Sequence, residues 1–254
     1  MERYAFCRAL ARDAGKLAHR GFGLSASSMK GRHDIVTAMD HEVERYIRAA
    51  IGRDFPEDAI IGEEEGGSAS DKVWVIDPID GTANYARGNP RYCVSIAFVE
   101  RNVPVIGVLY DPSHDALYAA AQGDGAYCDG VRLAVSSCTE LSGATVECGW
   151  STRRSTAAYV DLVARVLGAG SQMQRTGSGA MGLADVAAGR VEGYCELHIN
   201  AWDCAAGIVL VREAGGVTND FFAGDGLTVG AALLATNAGL YAKLANTTGI
   251  AITS

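Results

Sequence analysis

The stretch VWVIDPIDGTANY, residues 73–85, decides how the rest of the chain is read. Its first four residues form an uninterrupted apolar run, the pattern of a strand buried on both faces. Asp77, Pro78, Ile79, Asp80 and Gly81 follow, and this is good turn chemistry, because Pro fixes φ and Gly accepts positive φ. A turn alone would account for the pattern. It leaves open why two carboxylates stand so close together at the mouth of a buried strand.

Upstream, Glu2 to Leu24 predicts an amphipathic helix with Leu10, Ala14, Leu17 and Ala18 on one face and Gly21 and Gly23 ending it. Asp34 to Thr37 predicts a short extended segment. Val43, Tyr46, Ile47, Ala50 and Ile51 then recur at helical spacing, a second helix that closes near Gly52 and Pro56. Downstream, the runs VWVI, CVSIAFVE, VPVIGVLY, ALYAAA and VRLAV are separated by the turn clusters GNP, DPSHD and GDG. They predict a largely antiparallel sheet lying on the first two helices. After about Cys138 extended and helical segments alternate, from ATVECGW to AGLYAKLAN, which argues for an α/β second half. The expected class is α/β: an α+β N-terminal half over residues 1–137 and an α/β C-terminal half over 138–254, sharing one packed body.

Composition narrows the function. The chain has 254 residues, 48% of them apolar, and a formal net charge of −8. An acidic chain lacks the diffuse positive field that phosphate-backbone binding needs, so no direct nucleic-acid partner is expected. The charged N-terminus carries no secretory pattern, and Gly226 to Ala242 falls short of a membrane span. A cytoplasmic protein without membrane contact is the expectation. Seven cysteines form no C-x-x-C pair and read as reduced thiols packed as small apolar residues.

Further carboxylates change the reading of the turn. IIGEEEGG puts Glu63 directly after the apolar AIIG, and AWDCAAG puts Asp203 where a helix begins. Carboxylates gathered at the ends of buried elements repel one another unless protons or cations lie between them. Oxygen ligands without a His or Cys cluster favour a hard cation, Mg²⁺ above all, with Mn²⁺ as a substitute. Gly81 lets the backbone approach a ligand closely, and Thr82 opens a segment whose free N–H groups can face an anion. The Thr82 hydroxyl is equally suited to orienting a water and to capping the turn. T-A-M-D, Thr37 to Asp40, fits a capping box for the second helix, which gives Asp40 a structural role.

In order along the chain, KGRHDIVTAMD, IIGEEEG, WVIDPIDGTANY and YCELHINAWDCAAGIVLVREAGG resemble the signature blocks of the inositol monophosphatase family, from about Lys30 to Gly216. The resemblance implies Mg²⁺-dependent, Li⁺-sensitive phosphomonoesterases, usually homodimeric, with a layered α/β/α/β/α fold and two to three ions per site. It implies that Glu63, Asp77 and the Ile79 carbonyl hold one metal, and that Asp77, Asp80 and Asp203 hold a second. Glu63 would also support a weaker third. Thr82 with Asp40 would orient or activate the attacking water, and the Gly81 and Thr82 amides would receive the phosphate. Gly177, Ser178 and Gly179 in RTGSGA would face the polyol, and Glu196 would bind its hydroxyls beside Asp203.

Two departures bear on the substrate. Gly179 stands where many members have Ala, and Leu197 to Ala201 differs from the usual G-x-x-x-W. His198 in that segment reads as a surface or packing residue rather than a general acid. The expected substrate is a small polyol phosphate, inositol 1-phosphate first. Histidinol phosphate, fructose 1,6-bisphosphate, adenosine 3′,5′-bisphosphate and a partnership with the transcription machinery are the alternatives.

Overall fold

The computed structural model describes residues 2–24, 27–31 and 34–251, with 27–31 and 34–36 by backbone alone. Arg32 and His33 of the KGRHDIVTAMD block lie outside the described residues. Two helices come first, α1 (Glu2–His19) and α2 (Ala38–Asp54), with a ribbon of β1 (Ser27–Gly31) and β2 (Asp34–Thr37) between them. Helix α1 stops at His19 rather than Leu24, because the chain breaks into turns ahead of Gly23, whose φ is 69°.

An eight-stranded sheet follows. It comprises β3 (Ala59–Gly62), β4 (Gly66–Gly67), β5 (Lys72–Asp80), β6 (Cys93–Glu100), β7 (Val103–Asp111), β8 (Ala116–Ala121), β9 (Gly125–Cys128) and β10 (Val131–Arg132). Their order is β10-β9-β8-β7-β6-β5-β3-β4, antiparallel except where β3 runs parallel to β5. The short α3 (Thr82–Ala86) leaves the end of β5. VRLAV yields only the exposed two-residue edge strand β10, while β9 was hidden by the neighbouring GDG turn.

The remaining chain alternates: β11 (Thr145–Cys148), α4 (Thr156–Gly168), β12 (Gln172–Gln174), α5 (Gly179–Ala187), β13 (Gly193–Ile199), α6 (Ala201–Glu213), β14 (Gly216–Thr218), α7 (Gly226–Val229), β15 (Ala231–Asn237) and α8 (Ala238–Thr248). The strands form a five-stranded mixed sheet, ordered β12-β11-β13-β15-β14.

Side-chain alternation stacks these elements into five layers. On β5, Trp74 and Ile76 point to one face, where they pack with Leu10, Ile47 and Ile51 of α1 and α2. Val73 and Val75 point to the other, joining Leu183, Ile208 and Leu210 of α5 and α6 and Leu233 of the second sheet. VWVI is therefore buried on both faces. Beyond the five-stranded sheet, Leu162 and Val166 of α4 and Leu240 and Leu244 of α8 close the last layer on Val146 and Leu234. The fold is α/β, layered α/β/α/β/α.

The inner helix α6 lies directly on the larger sheet because Gly107 of β7 has no side chain; a Cβ there would run into the Ala206 carbonyl. Backbone cannot retreat as a flexible side chain can. Replacing Gly107 with Val should therefore cost about 2 kcal/mol through overpacking. Urea unfolding of wild type and variant reads this directly as a lower midpoint at unchanged slope.

Candidate active site

The turn expected at Asp77–Gly81 is in fact a bulged strand end. Asp77 pairs with Ser95 and Asp80 with Cys93, so the chain on β5 carries one residue more than its partner β6. Pro78 falls within the bulge, where no ladder N–H is required of it. Asp77 Oδ1 accepts the Ile79 N–H at 2.9 Å, which fixes the bulge from inside. The true change of direction comes at Gly81, with φ 93°, where a Cβ would meet the Arg91 carbonyl at 2.9 Å.

Asp40 keeps the capping role read from T-A-M-D: its Oδ2 accepts the Thr37 N–H at 2.8 Å and the Thr37 hydroxyl at 2.6 Å. Its other oxygen, Oδ1, lies 3.1 Å from Thr82 Oγ1, which is also 3.0 Å from the Ile79 carbonyl. A hydroxyl has one proton to give, so Thr82 donates to one of these acceptors and keeps its lone pairs for an incoming donor. Burial pushes the Asp40 carboxyl up, against the hydrogen bonds from Thr37 and Thr82.

Asp203 uses the same device at the start of α6, where its Oδ2 accepts the Asn200 N–H and side-chain amide, each at 3.2 Å. Asp80 reaches across to α5. It accepts the Ser178 hydroxyl, the Ala180 N–H at 2.9 Å and the Gly179 N–H at 3.2 Å. Glu63 follows β3 and is tied to β5 by its N–H on the Ile76 carbonyl at 3.3 Å.

Oxygens of Asp77, Asp80 and Asp203 all lie within 4.8 Å of one another. Asp77 Oδ2 is buried with no hydrogen-bond partner. An orphaned carboxylate oxygen facing two more carboxylates is costly by itself and suits a hard cation, so the donor set fits the divalent metal that the sequence suggested. Burial pushes Asp77 well above the usual carboxylate range, and the charges of Glu63, Asp80 and Asp203, with the Glu63 carboxyl close enough to share a proton with it, push it further. Burial likewise lifts Asp80 to about 6 and Asp203 to about 7.

These residues open on a cavity of about 450 Å³. Glu63, Asp80, Gly81, Thr82 and Asp203 line it from one side. Gly177, Ser178, Gly179 and Glu196 line it from the other. Asp77, Ile79 and Asp40 lie behind this surface. Glu196, on β13, accepts the Tyr194 hydroxyl at 2.5 Å and is lifted by burial to about 8. Gly149 leaves it room, since a Cβ there would overlap the carboxylate.

The family model for the inositol monophosphatase family matches residues 2–252. The chain belongs to the inositol monophosphatase family. It is 38% identical over 222 residues to the Nus factor SuhB of Escherichia coli K12, covering 84% of this chain and 83% of that protein. Among solved structures, an inositol monophosphatase (IMPase) of Thermotoga maritima matches with a TM-score of 0.88 at 31% identity, over 98% of this chain and 97% of that one. The inositol monophosphatase of Anabaena (Nostoc) sp. PCC 7120 matches with a TM-score of 0.84 at 32% identity, over 97% and 94%.

This member of the inositol monophosphatase family also braces the candidate site with residues that belong to no motif. Glu44 of α2, fully buried, accepts the N–H groups of Glu64 at 2.8 Å and Glu65 at 2.9 Å and the Arg48 Nε at 2.8 Å. It thereby fixes the loop that carries Glu63. Asn84 of α3 donates to the Arg91 carbonyl at 2.8 Å and the Thr176 carbonyl at 2.9 Å, joining the two walls of the cavity. Arg153, Arg175 and Trp150 line its outer part. His198 is buried, as a packing residue would be, with its Nε2 3.1 Å from the Val229 carbonyl. Among the described residues, no helix is long and apolar enough to cross a membrane.

A carboxyl whose pKa is raised on folding binds its proton more firmly folded than unfolded. The cation-free protein should therefore lose stability as pH climbs from the ordinary 3.8 through the raised values of about 6 and 7 for Asp80 and Asp203. A divalent cation offsets that loss. Melting temperatures with EDTA and with Mg²⁺, measured at pH 5, 6, 7 and 8, should diverge progressively as pH rises; a gap independent of pH would contradict the assignment.

Proposed function

We propose that the protein is a Mg²⁺-dependent phosphomonoesterase that hydrolyses a small polyol phosphate, inositol 1-phosphate among its substrates. The single observation that carries this reading is the buried Asp77 Oδ2, which receives no hydrogen-bond donor and sits against Asp80 and Asp203 just behind the wall of a polar cavity that those two residues line. Membership of the inositol monophosphatase family supports it.

Glu63, Asp77, the Ile79 carbonyl, Asp80 and Asp203 are the groups that would hold two to three Mg²⁺ ions, with Mn²⁺ as a substitute. When bound, such ions supply Lewis-acid stabilisation of the phosphoryl oxygens and a lower pKa for water. The chain's own contributions follow from its geometry. Thr82, steadied by Asp40, presents oxygen lone pairs that accept a hydrogen bond from a water and so orient it toward phosphorus. Gly81 leaves the backbone bare where the phosphate must approach, and Thr82 opens the short α3 beside it. Ser178 and Gly179 border the alcohol. Glu196 meets substrate hydroxyls, either donating or accepting, because its pKa of about 8 leaves both protonation states accessible near neutrality. The reaction is an in-line displacement that needs no covalent phosphoenzyme.

Asp80→Asn should lower phosphate release by about 100-fold or more at saturating Mg²⁺, since it removes charge from the cluster and one of the two oxygens that accept the first amides of α5. A colorimetric phosphate assay on inositol 1-phosphate, histidinol phosphate and adenosine 3′,5′-bisphosphate checks both the loss and the choice of substrate. Full activity in Asp80→Asn would sink the reading.

A second reading rests on a separate observation, the 38% identity to a protein named Nus factor SuhB. On it, the chain acts as a protein partner of the transcription machinery, with or without catalysis. If a deletion phenotype in the source cell is fully rescued by Asp80→Asn, the partner role is the one that matters there; failure to rescue assigns the phenotype to hydrolysis.

A further inference from the structure

The carboxylate cluster occupies one side of the cavity, and the outer wall carries the opposite charge. Arg153 lies in the loop between β11 and α4, and Arg175 immediately follows the segment of β12, two stretches that the five-stranded sheet brings to the same rim. Neither guanidinium forms an ion pair or donates a hydrogen bond among the described residues. Arg175 is not loose, however: its guanidinium stands 5.6 Å from the centre of the Trp150 ring, which also lines the cavity. An arginine laid on an indole keeps its edge donors free and aimed.

The cavity's own acids do not use up these charges. Glu147 is satisfied by the Gln174 amide at 3.1 Å, the Thr176 N–H at 3.0 Å and the Thr176 hydroxyl at 2.5 Å. Glu63, Asp80 and Asp203 face the proposed cation site, and Asp203 feels Arg153 only as the smallest of the influences on it, behind burial, Asp80 and Asn200. Glu196 feels Arg175 only as a minor influence; burial dominates and its nearest partner is Tyr194. Arg153 and Arg175 are thus two unpaired cations facing a cavity whose far end is built for a phosphate.

We propose that Arg153 and Arg175 form a subsite for a second anionic group, a carboxylate or a further phosphate, carried on the alcohol portion of the substrate. The inference rests on the phosphatase reading above and narrows its substrate class. A neutral polyol phosphate would enter and leave both guanidinium groups to water. A substrate with a second anion would instead gain a bidentate contact at Arg175, reinforced by Arg153. Specificity would then come from the loop before α4 and the residue before the T-G-S-G turn, while hydrolysis remains the work of the carboxylate cluster.

The test compares kcat/KM for inositol 1-phosphate, 3-phosphoglycerate and fructose 1,6-bisphosphate in wild type, Arg153→Ala, Arg175→Ala and Arg175→Lys, all in Mg²⁺. One or both doubly anionic substrates should exceed inositol 1-phosphate by about tenfold, and which of them does so separates carboxylate from phosphate. Arg175→Ala should raise KM for the preferred substrate about tenfold with kcat nearly unchanged, Arg175→Lys should recover part of that loss, and inositol 1-phosphate should move less than about twofold. A wild type that prefers inositol 1-phosphate, or an Arg175→Ala variant that slows all three equally, overturns the subsite and leaves the phosphatase standing. No release from any of the three, nor from p-nitrophenyl phosphate, overturns both.

Discussion

The organising constraint of this molecule is the mutual repulsion of carboxylates gathered at the ends of buried elements, against the wall of the cavity. Asp77, Asp80 and Asp203 would separate if they were free to, and ordinary pieces of secondary structure prevent it. A bulge in β5 aims Asp77 and Asp80 together, and the capping box of α6 fixes Asp203. The N-terminal amides of α5 then hold Asp80. Glu63 arrives from β3, whose following loop is clamped by the buried Glu44. None of these supports is exotic. What is unusual is that each is also an ordinary structural element doing its usual work, so that the fold and the site cannot be taken apart.

This dual use explains what was legible in the sequence. VWVI, the two N-terminal helices and the alternation after Cys138 announce themselves by period, because burial on one face or two writes a pattern into the chain. The carboxylates announce themselves because acids at the ends of apolar runs are costly. Local chemistry was ambiguous where it served two ends: T-A-M-D is a capping box and also brings Asp40 to Thr82. The expected D-P-I-D-G turn proved to be a strand that continues through a bulge, since Pro and Gly signal an interrupted ladder without saying whether pairing resumes. It does resume, at Cys93.

Other residues left no signal that a single chain could carry. Glu44 looks like one more polar residue on an amphipathic helix, and its burial appears only when α2 meets the loop after β3. Asn84 joins Arg91 to Thr176, positions brought together only by packing the second sheet over the first. Arg153 and Arg175 sit in loops of unremarkable composition. VRLAV has strand composition, but only Val131 and Arg132 join the ladder as β10 at the sheet edge; Leu133 and Val135 turn inward instead and bond to the Ala126 and Ala214 carbonyls.

Asp80 does two jobs with one pair of oxygens. The same carboxylate that faces Asp77 and Asp203 accepts the first amides of α5, so any change in its charge density is felt one hydrogen bond away by Gly179 and Ala180. Those two protons are built-in reporters. Their amide chemical shifts register the occupancy of the carboxylate cluster from within the backbone, without a label, a substrate or turnover.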